Sequence, residues 1–513
     1  MKRRIFRQFN TLAVRAGAAV LIAAGLGGCA LGPNFKQPDA PANAGSAYTP
    51  TPLPAQTASA PVAGGAAQQF AFGQEIPAQW WSLFRSPALD QLIRGALEQN
   101  PNMAVAEAAL RQAQENYKAQ AGNLLYPSVN GQLGLTRQKT SAATAGAAAG
   151  VYNVYNASVA VSYTPDVFGA TRRTLEGAQA VIDYQRFQVE ATYLTLSANV
   201  VTTAIQEASL RAQLQATREV LAALTAQQNV IEKQFEYGAI PRTTVLSQRN
   251  QVAQINATIA PLEKALASAR HQLSVLAGKL PGEAGMPEFS LETLTLPEQL
   301  PVSLPSALVR QRPDIRASEE ALHQASANIG VATAAQYPQI TLSGAYGSSA
   351  DTFGKLFDAQ TTAWNLAAGL TQPIFNGGAL RAQRRAAEAA YDVAAAQYRV
   401  TVLNAFQNVA DTLRALDADA AALQSQAQAE ALAKETLDLS QQQYKLGGIS
   451  YLVLLDAQRI YQQTHVSLVQ AQAARYADTA ALFQALGGGW WNRANGVPAA
   501  TAVSAAAPYG KNQ

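Results

Sequence analysis

Two kinds of hydrophobic period run along this chain, and each occurs twice. The first is strict alternation. Val129, Leu133 and Leu135 alternate with Asn130, Gln132 and Thr136, and Ala157, Val159, Val161 and Tyr163 with Asn156, Ser158, Ser162 and Thr164. Further on, Ile340, Leu342 and Tyr346 stand against Thr341 and Ser343, and Trp364, Leu366, Ala368 and Leu370 against Asn365 and Thr371. A period of two predicts strands whose faces meet different surroundings, one apolar and one lined by hydroxyls and amides. The second period is helical. Apolar residues recur in steps of three and four at Tyr184, Phe187, Ala191, Leu194, Ala198, Val201, Ile205 and Ala208. They recur again at Val252, Ile255, Ile259, Leu262, Leu266, Ala269, Leu273 and Leu276. Such steps make a coiled-coil seam. Pro261 falls inside the second seam and is expected to kink or interrupt it. The segments that begin near Ala170 and Leu380 run for about 65 residues without proline, which is roughly 100 Å of helix at 1.5 Å per residue.

The order of these elements repeats. Asn100-Pro101 recurs as Arg312-Pro313, Tyr126-Pro127 as Tyr337-Pro338, and Pro165 with Gly169 as Pro373 with Gly377. The stretch from Gln234 to Ile240 recurs from Gln443 to Ile449, and Gly278 recurs as Gly487. These landmarks keep their order at an offset between 208 and 212 residues. Chance matches do not hold register in this way, so the chain is an internal duplication in which each copy reads helix, strand, strand, long helix, helix.

Strands of ~10 residues are long enough to cross a membrane at a tilt. An ordinary sheet with its apolar face on a core is the competing reading, but no helical segment offers an obvious apolar face to cover it. Four strands cannot close a barrel, and lipid tolerates no open strand edge. If the strands enter a membrane, several chains must therefore contribute. Two chains give eight strands and a bore filled by side chains; three give twelve and room for a pore.

Charge changes the picture in one place. The sequence holds 38 Lys and Arg against 34 Asp and Glu, but Lys2, Arg3, Arg4, Arg7 and Arg15 lie in the first 28 residues, which carry no acid. Without those five, 33 bases face 34 acids, which leaves no basic footprint and no case for nucleic acid. The basic stretch is followed by an apolar run from Ala16 to Leu26, too short to span the ~30 Å of a bilayer core as a permanent helix. It reads as a cleaved secretory signal. Leu26-Gly27-Gly28-Cys29 resembles the lipobox of bacterial lipoproteins, which makes Cys29, the only cysteine, the lipidated first residue of the mature chain. The following residue is Ala30 rather than the aspartate that retains lipoproteins at the inner membrane, and by that resemblance the protein goes to the outer membrane. A lone cysteine excludes an intrachain disulfide framework.

Nothing reads as catalytic, and no cofactor is expected beyond the covalent lipid on Cys29. His271, His323 and His465 are scattered and read as ordinary helix-surface residues. Gly278-Lys279 lacks both the upstream glycine and the following Ser or Thr of a phosphate loop, and Gly354-Lys355 is preceded by Ser349 where that loop needs glycine. Met1, Met103 and Met286 are the only methionines, which argues against a thioether route for copper or silver.

Cys29 with Gly32-Pro33-Asn34-Phe35, then Trp80-Trp81, Arg312-Pro313-Asp314-Ile315, Tyr337-Pro338 and the run from Gln443 to Gln458, together resemble the lipidated outer-membrane efflux factors. These form the NodT/OprM-type branch of the TolC superfamily. The resemblance implies a mainly α fold with a membrane β-barrel, in which a homotrimer pools four strands per chain into a twelve-stranded barrel on a long periplasmic helical tunnel. It implies the outer-membrane channel of a tripartite efflux pump, docking on a periplasmic adaptor (membrane fusion) protein and an inner-membrane RND-type transporter. A type I secretion duct for polypeptides would share the architecture, and a non-pore lipoprotein scaffold bridging envelope layers is a further alternative. By the same resemblance the tip loops are residues 237–244 and 446–452, and Leu452 and Asp456 form constriction rings at a periplasmic gate, one hydrophobic and one anionic. Leu452 and Asp456 lie four apart, on one helix face, although an aspartate in the first turns of a helix is also a routine dipole partner. The paired positions in the first copy are Thr243 and Ser247, and Arg242 is a possible charged neighbour.

The resulting division is a signal peptide over 1–28, a lipid-anchored Pro/Ala-rich leader over 29–79 with order beginning near Trp80, and a first repeat over 80–280 with strands near 127–137 and 155–165. An equatorial segment follows over 281–311, then a second repeat over 312–488 with strands near 338–347 and 363–373, and a tail over 489–513.

Overall fold

The computed structural model describes residues 30–39, 48–141, 143 and 150–493. The signal segment, Cys29 and most of the tail lie outside the described residues. The duplication is visible in the helices. Helix α1 (Pro87–Gln99) leads into α2 (Pro101–Leu125), α3 (Ala170–Glu236) and α4 (Arg242–Leu276). The second copy contains α5 (Pro305–Gln311), α6 (Pro313–Ala334), α7 (Ala379–Lys445) and α8 (Tyr451–Ala485). Both long helices have 67 residues and both return helices 35. Proline at the first helical position starts α1, α2, α5 and α6, where its missing N–H would be unpaired in any case. The long helices stop at matching places. Gly238 (φ 74°) and Gly447 (φ 77°) adopt left-handed backbone, and Ala239 N donates to Gln234 O while Gly448 N donates to Gln443 O, both at 2.8 Å. This is the Schellman closure that glycine permits. Pro261 does not interrupt α4, which runs through it. One lost N–H bond is outweighed by the seam on either side, where Ile255, Ala269 and Leu273 are buried.

Two compact units divide the chain. The first comprises the chain up to Pro38 with Leu110–Tyr184 and Ser318–Tyr398. It holds four antiparallel strands, β2 (Ser128–Lys139), β3 (Val151–Tyr163), β5 (Gln339–Ala350) and β6 (Thr362–Thr371), in the order β2-β3-β5-β6. The described residues from 30 to 38 are docked in this unit. Arg173 Nε donates to Leu31 O at 3.1 Å and its Nη2 to Asn34 Oδ1 at 2.7 Å. Gly32 lies so close to Gly330 that a Cβ would meet the Gly330 Cα at 2.5 Å. Phe35 stacks on His323 at 4.3 Å, and His323 bridges Glu176 at 3.1 Å and Glu320 at 3.3 Å. His323 is therefore a half-buried link and not an ordinary surface residue.

The hydrogen bond to Glu320 holds the His323 pKa above its ordinary value, with burial opposing and Glu176 reinforcing. A raised histidine pKa adds stability that is complete below the unfolded value of ~6.5 and is lost as pH climbs through the folded one. Hydrogen-exchange protection of residues 31–37 should accordingly fall as pH rises above about 6.5, and in His323→Gln that pH dependence should vanish.

The second unit comprises Asp39–Ala109, Gln185–Ala317 and Arg399–Gln513. Its core gathers Trp80, Trp81, Phe84, Tyr476 and Phe483, each buried. The Trp80 ring lies 5.4 Å from that of Phe483, and Trp81 Nε1 donates to Asp90 Oδ1 at 2.9 Å, so its polar end is satisfied. Order here begins well before Trp80. Strand β1 (Gln69–Phe72) pairs in parallel with β4 (Gln299–Val302), Tyr48 donates to Ser303 O at 2.8 Å, and Gln68 Nε2 donates to Pro297 O at 2.9 Å. Buried Arg475 on α8 holds Thr57 Oγ1 at 2.9 Å, Gly64 O at 3.0 Å and Ala66 O at 2.7 Å. The Pro/Ala-rich composition masks this docking because most of the partners are backbone carbonyls, which composition does not report.

Candidate functional site

Register decides what the sheet can do. Across β2, β3, β5 and β6 the paired rows Val129–Val161–Gly344–Leu366 and Gly131–Val159–Tyr346–Trp364 fall on one face. Leu133, Leu135, Tyr155, Tyr163, Leu342 and Leu370 share it by alternation. The opposite face carries Ser128–Ser162–Ser343 and Gln132–Ser158–Gly347, with Asn130, Asn156, Thr341 and Asn365. The apolar face is bare within the chain, since Leu366 is 79%, Trp364 71% and Leu133 71% exposed. Both outer strands, β2 and β6, pair on one side only. An apolar face of this extent with two open edges marks an interaction surface. Among the described residues no helix is long and apolar enough to cross a membrane.

The tips of the two helical hairpins form the second candidate region. Leu452 is 66% exposed, and the Asp456 side chain 59% exposed, in the first turns of α8. Asp456 Oδ1 accepts from Arg459 Nη2 at 2.8 Å, an exposed pair of little energetic weight. Arg459 was not among the sequence-predicted residues, although its i+3 spacing signals it. Arg242 and Thr243 are exposed at the start of α4, and Ser247 is partly exposed one turn on.

Between these tips lies a cluster that the sequence reading missed. Ile231, Val245, Tyr451 and Leu454 are buried together, with Ile240, Ile449 and Leu455 packed against them. Inside it the Tyr451 hydroxyl donates to Gln248 Oε1, and Gln248 Nε2 donates to Leu224 O at 2.6 Å. Burial pushes the Tyr451 phenol well above its ordinary pKa, so it stays a neutral donor. Gln458 Nε2 donates to Gln227 Oε1 at 2.7 Å, tying α8 to α3. The copies diverge here, with Tyr451 standing where the first has Arg242 and Gln458 where it has Arg249. Arg249 pairs instead with Glu232 at 2.9 Å. Divergence between copies at the tip was the one signal that could have found these residues.

Among the described residues no group of three or more His, Cys, Asp or Glu could hold a metal ion. His465 Nδ1 lies 3.1 Å from Glu430 Oε1, so it too is paired and not a free surface histidine.

Comparison with known proteins agrees with this geometry. The family model described as outer membrane efflux protein matches residues 92–279 and 304–488, one stretch per copy. The pyoverdine export outer membrane protein OpmQ of Pseudomonas putida is 31% identical over 447 residues, covering 86% of this chain and 94% of that protein. The toluene efflux pump outer membrane protein TtgC of Pseudomonas putida is 30% identical over 476 residues, covering 91% and 94%. The solved outer-membrane channel OprN superposes with a TM-score of 0.80 at 26% identity, over 90% of this chain and 100% of that one. The MtrE outer membrane channel of Neisseria gonorrhoeae gives 0.75 at 27% identity, over 90% and 98%. With both copies matched and the channel fold shared along nearly the whole chain, the protein belongs to the outer membrane efflux protein family.

Proposed function

We propose that this outer membrane efflux protein is the passive exit duct of a tripartite pump, working as a homotrimer. The observation that carries the reading is the sheet, with one continuous apolar face, one polar face and two open edges. In lipid each open edge must pair, and three copies joined β6 to β2 make a twelve-stranded barrel whose polar faces line a pore. The paired helical hairpins form the periplasmic tunnel in this reading. A lipid on Cys29 tethers the chain to the outer membrane, contributing about 0.8 kcal/mol per buried CH2. The partners are a periplasmic adaptor and an inner-membrane RND-type transporter. Relatives named for toluene and pyoverdine export support small molecules as the cargo class.

The experiment is accumulation of antibiotics and dyes in a deletion strain. Accumulation should rise on deletion and return to normal with the intact gene, and Cys29→Ala should complement less well. Unchanged accumulation across many compounds would remove the efflux assignment.

Leu452 and Asp456 are the gate of the proposed duct, with Thr243, Ser247 and Arg242 as its first-copy neighbours. Their exposure at the helix starts supports this. Asp456→Ala should raise the conductance of the reconstituted channel severalfold by removing a ring of charge. Tyr451→Phe, which deletes the donor to Gln248, should raise it as well. Wild-type conductance in both variants would sink the gate assignment.

A further inference from the structure

The four strands of the sheet contain only two charged side chains, Arg137 and Lys139. Both stand on the apolar face, following Leu133 and Leu135 in steps of two and pairing with Asn153 and Val151 of β3. The polar face carries no charge along any strand. Arg137 and Lys139 are exposed, and neither makes an ion pair or hydrogen bond with another described residue. They sit at the end of the sheet away from the helices, because α2 leads into the start of β2 and α3 follows the end of β3. A charge on the lipid side of a barrel is disfavoured at the midplane and costs little at the interface, where headgroups begin.

The surface beside this pair is built for hydrocarbon. Loop 351–361 folds onto the same face, with the Phe353 ring edge-on to Tyr155 at 6.0 Å. Ser348, in the row Leu133–Ala157–Ser348–Thr362, donates to Thr361 Oγ1 at 2.7 Å and fixes the end of the loop. Lys355 in the loop is already paired with Asp351 at 3.2 Å, so the free cations are those of β2. A groove of about 540 Å³ lies between Phe357 of the loop and Leu133, Val159 and Tyr346 of the sheet. Arg137 stands four residues beyond Leu133, about 13 Å along the strand. Two unpaired cations at a rim, with an apolar groove beneath them, match an anionic headgroup that carries acyl chains.

We propose that this surface binds a phosphorylated glycolipid of the outer leaflet. A phosphate lies against Arg137 and Lys139, where the guanidinium fork suits two phosphate oxygens, and an acyl chain fills the groove beside Phe357. The site rests on the barrel reading, since only there does the apolar face meet lipid and its far end reach the outer leaflet.

The test uses the full-length protein purified as a trimer in detergent and exposed to bisphosphorylated lipid A. Native mass spectrometry reads the lipid retained per trimer. Wild type should retain lipid A, and should retain the enzymatically dephosphorylated form roughly tenfold less. Arg137→Gln combined with Lys139→Gln should lower lipid A retention by a similar factor, each basic side chain near an anionic headgroup being worth about a factor of five. Adding Thr136→Arg restores a charge on the opposite face and should not restore retention. Phosphatidylglycerol, a phosphate without the glycolipid body, should be retained less than lipid A. The two single variants, each with the smaller loss, carry the test if the double variant assembles poorly. Trimer on unboiled gels reports the barrel separately. With the trimer intact, unchanged lipid A retention in the variants, or equal retention of the dephosphorylated form or of phosphatidylglycerol, would overturn the proposal and leave the barrel standing. A wild type that forms no trimer would overturn the barrel reading and this site with it.

Discussion

Val159→Arg is expected to abolish outer-membrane assembly, whereas Ala160→Arg, one residue further along the same strand, leaves it intact. Val159 sits mid-strand in β3, opposite Gly131 on one side and Tyr346 on the other, on the apolar face. Ala160 faces the other way, between Asn130 and Ala345. In the proposed barrel the first points to lipid and the second to the pore. An arginine on the lipid face near the midplane costs ~2–4 kcal/mol per chain, and a trimer bears that penalty at three places. Heat-modifiable trimer on unboiled gels, together with surface labelling in cells, reads the outcome. The same pair of variants tests the face assignment itself. Normal assembly of Val159→Arg alongside failure of Ala160→Arg would mean that the faces are reversed and that the proposed pore is wrong.

Arg475→Ala should release the leader from the helical unit. Arg475 is fully buried, and its guanidinium makes three hydrogen bonds to residues between Thr57 and Ala66, none of them to a carboxylate. Burial lowers its pKa, with Asp419 nearby acting to raise it. Truncation removes three charge-assisted bonds and takes the arginine donors from the Gly64 and Ala66 carbonyls, while Thr57 Oγ1 keeps the Gln68 N–H, a loss of about 3–5 kcal/mol. Residues 48–72 should then become cleavable by protease while the long helices stay protected. Arg475→Lys should recover only part of the protection, since an ammonium lacks the fork that reaches the three acceptors together. Wild-type resistance in Arg475→Ala would show that β1 and the Gln68 contacts hold the leader without it.

Much of this fold can be read from periodicity because periodicity is a consequence of burial. The alternating rows of β3 and β5 identify strands, and the steps of three and four from Phe187 to Ala208 identify the helix face that becomes buried. The offset repeat of proline and glycine landmarks places the chain breaks, since those residues act through their own backbone and need no partner to do so. The docking of the leader is not readable in this way. Arg475 finds its partners more than four hundred positions away, at Gly64 among others, and a backbone carbonyl looks the same in every residue.

At the candidate site the same division holds. The family resemblance singles out Leu452 and Asp456, and their spacing of four puts both on one helix face. The bonds of Tyr451 to Gln248 and of Gln458 to Gln227 cannot be read in this way, because each joins helices about two hundred residues apart in the chain and depends on which faces meet. His323 shows the limit most plainly. Its sequence neighbourhood is an ordinary helix, and only the fold brings Phe35 and Glu176 to it. By itself the sequence determined the duplication, the element types and the two-faced strands, since these follow from local sterics and from the spacing of apolar side chains. Tertiary structure alone decided the strand order that gathers four apolar faces into one, the docking of the leader, and the buried polar contacts at the helical tips. Those depend on pairings between distant segments, and no local pattern encodes a partner.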